Sequence, residues 1–325
     1  MNKRMSTSHL PITPSSGAPL LLLLVAGSCG DAGPGDGDPP VACTPRVLGM
    51  GRAPGTNELM PGAQRLRAAV SSDGIVWTRL PDTIADQAAT PSLVRAPGGP
   101  PMLYMTAHQA TGVQDGTTVA IGTADGTSWT HCAIERVGFP PGLGGSDPDV
   151  VLADDGTYRL YITGGVNGGR IGIHHADSPD GVVWTYGGVS FERSTSILDS
   201  MTFRSGATWH QYALDGTSIA MVHGTSADGR TFTFADVSER RLGGAPHVLS
   251  QAALVEGAMR LYGFGPLGRE IRSFTTDDGS TLVEDPRLLL ALEGARAEES
   301  GFVKDPAVTG LADGTYLMVY STVIP

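Results

Sequence analysis

Five short segments of the 325-residue chain line up on an Asp-Gly pair: Ser71–Trp77 (SSDGIVW), Thr123–Trp129 (TADGTSW), Ser178–Trp184 (SPDGVVW), Ser226–Phe232 (SADGRTF) and Thr276–Leu282 (TDDGSTL). Their aspartates, Asp73, Asp125, Asp180, Asp228 and Asp278, are 52, 55, 48 and 50 residues apart. Each has Ser or Thr two positions earlier and a large apolar residue four positions later. Asp-Gly bends a chain, and the β-branched and aromatic residues after it suit a pleated surface. A turn kept in register at a period near 50 residues is the mark of a chain built by repetition.

A second phrase recurs upstream of the hairpins. Asp147–Tyr158 (DPDVVLADDGTY) matches Asp305–Tyr316 (DPAVTGLADGTY), Thr90–Gly99 (TPSLVRAPGG) is a looser copy, and shortened versions start at Asp199 and near Ser250. Each reads as strand, Gly-containing turn, strand. Two strands from this phrase and two around the hairpin make a four-stranded unit, the size of a propeller blade. The chain begins with a hairpin lacking its upstream phrase (64–80) and ends with a phrase lacking its hairpin (305–322). Joining the two completes a fifth blade and removes exposed strand edges. The expected fold is all-β, a five-bladed propeller over residues 46–325 whose last blade is closed by N- and C-terminal strands. Glycine and proline interrupt the chain too often for helices, and the best helical candidate is the short run Arg287–Leu292.

The first 28 residues read as an export signal. Lys3 and Arg4 precede the apolar run Leu20–Ala26, which is too short for a good membrane-spanning helix. Small residues directly before Cys29 resemble the lipobox of bacterial lipoproteins, which implies lipidation of Cys29 and a lipid-anchored place in the cell envelope; plain secretion is the alternative. Residues 29–45, rich in Gly, Asp and Pro, read as a flexible tether. The other two cysteines, Cys43 and Cys132, are candidates for one disulfide in an exported protein. A net charge of −11 argues against a nucleic-acid partner. The expected protein is a monomer that meets the membrane only through its anchor.

The phrases 170–184 (RIGIHHADSPDGVVW) and 147–164 (DPDVVLADDGTYRLYITG) resemble those of the five-bladed propellers of glycoside hydrolase family 43 and its arabinanase, invertase and levansucrase relatives, over the chain from about residue 62 onward. The resemblance implies an oligo- or polysaccharide ligand in the central depression. It also implies an aspartate base, a tuning aspartate and a glutamate acid on successive blades. The base position falls on Thr90, with Asp86 nearby. Asp147 fits the tuning aspartate, with Asp149 two residues on, and Asp199 stands near the acid position. The fifth blade offers Asp305, and the fourth only Ser250 and Gln251. An enzyme reading uses Asp147 to tune, Asp199 as acid and Asp86 or Asp305 to activate water, because glycoside hydrolysis needs a pair of carboxyl groups. With the usual Asp/Asp/Glu triad incomplete, a non-catalytic glycan- or protein-binding propeller is the competing reading. Asp149, His174 and Trp209 are candidate ligand contacts; Trp77, Trp129 and Trp184 are expected to pack between blades. Glu298 and Glu299 read as a solvated loop pair. No cofactor is required, although the resemblance admits a calcium ion in the channel.

Overall fold

The computed structural model describes residues 43–108, 116–166, 169–218, 220–234 and 247–325. The export signal, Cys29 and the tether up to residue 42 lie outside the described residues. Five sheets, antiparallel except for Glu135–Val137 beside Val183–Phe191, stand in a ring, each with its innermost strand against those of its two neighbours. The innermost strands, in ring order, are Ala88–Arg95, Ser146–Leu152, Ile197–Ser205, Val248–Val255 and Ser300–Gly310, and they define blades 1 to 5. Blade 5 is the expected composite: Ser300–Gly310 and Tyr316–Val323 from the C-terminus pair with Gln64–Ser71 and Thr78–Asp86 from the N-terminus. The whole length of Gln64–Ser71 is in register with Tyr316–Val323, so the ring is closed by a continuous backbone ladder.

The repeated Asp-Gly turn has a structural role. In Ser178–Trp184 the Asp180 carboxylate accepts from the backbone N–H of Val182 at 2.8 Å and of Val183 at 2.9 Å, and from the Ser178 hydroxyl at 3.0 Å. The following glycine adopts a left-handed conformation in all five copies, φ 67° to 76°, which glycine alone reaches without a steric penalty. A Cβ at Gly181 would lie 2.5 Å from the Tyr104 hydroxyl of blade 1. That approach makes a latch. The hydroxyls of Tyr104, Tyr161, Tyr212 and Tyr262, one on the second strand of each of blades 1 to 4, donate to the carbonyls of Gly181, Gly229, Gly279 and Gly74 on the next blade, at 2.5–2.9 Å. The tryptophans pack at the same seams: Trp184 lies edge-on to Tyr104, and Trp77 edge-on to Tyr262.

Cys43 and Cys132 are disulfide-bonded with Cα atoms 5.5 Å apart, and Thr44–Pro45 pairs with the outer strand Trp129–Ala133, so the start of the body is held on blade 1. Two sequence expectations are corrected. Arg287–Leu292 is not helical: Leu290–Ala291 is a short strand beside Glu270–Thr275, because Leu289 and Leu290 bury their side chains in the blade 4–5 core and Asp285 holds Arg287 by its backbone and guanidinium. Glu299 is not solvated. Its carboxylate has no exposed side-chain surface and lies between Arg79 (3.1 Å) and Arg67 (3.6 Å), with the Tyr320 hydroxyl donating at 2.8 Å. These four residues come from both halves of the composite blade, so the buried charges cross-link the two ends of the chain.

Candidate active site

The innermost strands share one irregularity. Each carries a register shift near its start, and Thr90, Asp147, Asp199 and Asp305 there adopt φ of 47° to 52°. For a non-glycine residue this conformation costs about 1–2 kcal/mol. Partners on neighbouring blades hold three of the four: the N–H of Thr90 donates to Ser321 Oγ, that of Asp147 to Thr106 Oγ1, and that of Asp199 to Thr163 Oγ1, at 2.9–3.2 Å. Those hydroxyls stand at one repeated position, two residues beyond the latch tyrosine in blades 1 and 2. On blade 4 the pairing of Gln251 with Tyr262 puts Leu249 at the matching place, with Ser250 one residue on.

Positive φ turns the side chains out of strand alternation and toward the axis. Thr90, Asp147, Asp199, Ser250 and Asp305, with Pro91, Pro148, Ser200 and the chain at Val248–Leu249, enclose a chamber of about 30 Å³, room for roughly two water molecules. Lys304 donates from Nζ to Asp305 Oδ2 at 2.7 Å and also feels the charges of Asp147 and Asp199. Burial works to lower the lysine pKa, but the three carboxylates outweigh it and raise it, so the ammonium stays protonated. Burial pushes the Asp199 carboxyl well above the usual range, and the nearby Asp147 and Asp305 push it further. Asp147 is raised too, chiefly by burial, with the Ser146 hydroxyl at 3.1 Å and Lys304 acting against the rise. The charge of Asp147 therefore opposes ionisation of Asp199 and favours its protonated form.

Of the residues singled out from sequence, Asp147, Asp199 and Asp305 therefore meet in one chamber. Asp86 does not line it: its carboxylate is bound by Arg65 at 2.7 Å and by the N–H of Gly51 at 2.7 Å. Asp149 also stands outside the chamber lining, because the turn at Asp147 breaks the alternation that would have put both on one face. It is 2 % exposed, and burial pushes its carboxyl well up, with Thr202 acting against the rise. His174 is buried in blade 2 with its Nδ1 3.0 Å from the Tyr186 hydroxyl. Trp209 lines a different cavity at the other end of the channel. Sequence reasoning missed Lys304, although a lysine directly before the Asp-Pro of an inner strand was a signal. It also missed the hydroxyls that hold the strained turns.

Among the described residues, no group of three or more His, Cys, Asp or Glu is placed to hold a metal ion. The donor set fits a calcium ion poorly, since the Lys304 ammonium sits on Asp305 and burial favours the protonated form of Asp199.

The fold is similar to that of several solved glycoside hydrolases. A thermostable family-43 glycoside hydrolase is 14% identical, with a TM-score of 0.55 over 73% of this chain and 88% of its own. The fold is that of the family-43 glycoside hydrolases. A glycosyl hydrolase from Bacteroides ovatus (13% identity, TM-score 0.54) covers 87% of this chain and 99% of its own. An alpha-L-arabinofuranosidase from Clostridium thermocellum (14%, 0.51) covers 71% and 81%. No protein-family model and no curated protein matches the chain. At these identities the family-43-type likeness is one of fold, and activity must be argued from the chamber.

Proposed function

We propose that the axial chamber is a glycoside hydrolase-like site acting on an exported-side oligo- or polysaccharide, in a protein held in the bacterial cell envelope by lipid on Cys29. One observation carries the reading: three aspartates from three blades are held in costly left-handed turns and converge in the central depression, where the family-43 resemblance implies a sugar ligand. Strain kept at equivalent places on several blades is the kind of outlier from which function is inferred. Asp199, kept protonated by burial and its neighbours, is the acid that protonates the leaving oxygen. Asp147 tunes it, its charge opposing ionisation of Asp199. Asp305, paired with Lys304, is the carboxylate that orients and deprotonates water.

The test is a polysaccharide panel assayed for released reducing sugar with wild type, Asp199→Asn, Asp147→Ala and Asp305→Asn, each confirmed folded by circular dichroism. Loss of turnover of at least a hundredfold in all three is expected. Wild type inert on every glycan, or turnover retained in Asp199→Asn, removes the enzyme reading.

A second reading has its own support. The chamber's volume of about 30 Å³ admits no whole sugar ring, and Thr90 stands where the resembled enzymes have their base. On this reading the mouth of the chamber binds a glycan without cleaving it. The same panel then shows affinity without turnover.

A further inference from the structure

The channel does not run through the propeller. Gln251 of blade 4 reaches across to blade 1, where its Oε1 accepts from the N–H of Leu93 at 2.9 Å and its Nε2 donates to the Leu93 carbonyl at 2.7 Å. Blades 1 and 4 are not neighbours in the ring. The crossing passes blade 5 at Ala307, which pairs with Val319 at the strand position that Gln251 and Tyr262 occupy in blade 4, and whose short side chain leaves the space. Both backbone groups of Leu93 are satisfied by one buried side chain, so the crossing is a fixed partition. On one side lies the aspartate chamber. On the other, walled by the far ends of the same strands, lies a cavity of about 600 Å³.

Its volume is within the range of small-molecule sites, about 300–1,000 Å³. Val151, Leu254 and the edges of the core residues Val94 and Val308 supply an apolar wall from four blades, and the edge of the buried Trp209 indole adds an aromatic side. Trp209 is held there by Gly229, whose absent side chain lets the backbone approach, and by the Arg159 guanidinium 5.7 Å over its ring. The charged lining is one-sided. Arg204 is answered by Asp154, whereas Arg95 bonds only the Gly99 carbonyl through Nε, and among the described residues its two terminal nitrogens have no partner. A lined apolar cavity with one uncompensated guanidinium, in a chain of net charge −11, complements a ligand with an apolar body and a single anionic head.

We infer that this far cavity is a second binding site, independent of the aspartate chamber, for a small amphipathic anion such as an aromatic or aliphatic carboxylate or sulfonate. The apolar body lies against the valines and Trp209, and the head pairs with Arg95. The partition at Gln251 keeps it from the carboxylates, which would repel it.

The test is fluorescence titration with 8-anilinonaphthalene-1-sulfonate, beside its uncharged analogue N-phenyl-1-naphthylamine, on wild type, Arg95→Gln, Leu254→Asp and Asp199→Asn. Leu254 is 64% exposed and Arg95 half-buried at the rim, so both variants are expected to fold, which thermal melts verify. The expected result is one saturable sulfonate site whose affinity falls about tenfold in Arg95→Gln and more in Leu254→Asp. The uncharged analogue changes less than twofold in Arg95→Gln, and Asp199→Asn leaves both affinities unchanged. Non-saturable sulfonate binding, or the same affinity in wild type, Arg95→Gln and Leu254→Asp, overturns the inference. A tenfold change in Asp199→Asn places the probe in the aspartate chamber and overturns it equally.

Discussion

Replacing Asp199 by Asn tests the electrostatics of the chamber without disturbing its shape. Asn keeps the size but cannot ionise. In the folded protein the Asp199 carboxyl binds its proton far more tightly than an unfolded chain does, because of burial first and the charges of Asp147 and Asp305 second. A group raised in this way contributes stability that is fully present below its unfolded pKa, near 3.9, and is lost as pH rises through the elevated folded value. Each tenfold difference in proton affinity is worth about 1.4 kcal/mol. The Asn variant does not undergo that loss, so it is expected to be the more stable protein at pH 8. For a domain of this size each kcal/mol of the difference appears as about 2 °C in Tm, with the variant above wild type at pH 8 and level with it at pH 4. Thermal melts of both proteins from pH 4 to pH 8 read the difference directly. A Tm difference independent of pH, or one that shrinks as pH rises, refutes the raised proton affinity of Asp199.

Three further outcomes follow from the packing. Glu299→Gln leaves Arg67 and Arg79 buried without a counter-charge and should cost about 3–5 kcal/mol, read by urea denaturation; a loss under 1 kcal/mol would show that the two ends of the chain are not joined by this cluster. Tyr212→Phe removes one inter-blade latch and should cost about 1 kcal/mol, with Gly279 left without its donor; a neutral variant would make the latch decorative. Gln251→Ala opens the partition and strands both backbone groups of Leu93, at a cost of about 2–4 kcal/mol, and hydrogen exchange at the Leu93 amide should accelerate at least tenfold. Unchanged protection there would place the crossing outside the native state.

The repeated turns were enough to number the blades and to foresee the split one, since a hairpin closed by Asp and Gly is a local device whose geometry is set within a few residues. The cysteine count made Cys43 and Cys132 candidates for one disulfide, and the repeat put Asp147, Asp199 and Asp305 at equivalent strand starts. What local pattern does not carry is direction. Alternation along a regular strand would place Asp147 and Asp149 together, yet a left-handed turn, held by a threonine 41 residues away, sends one to the axis and the other into the wall. Long-range partners also decided the fate of charges: Glu299 reads as loop until Arg67 and Arg79 arrive from the opposite end of the chain, and Asp86 reads as a spare acid until Arg65 claims it. Gln251 looked like a missing carboxylate in the sequence. Only the closed ring, which brings blade 4 within reach of blade 1, makes it the wall between two cavities.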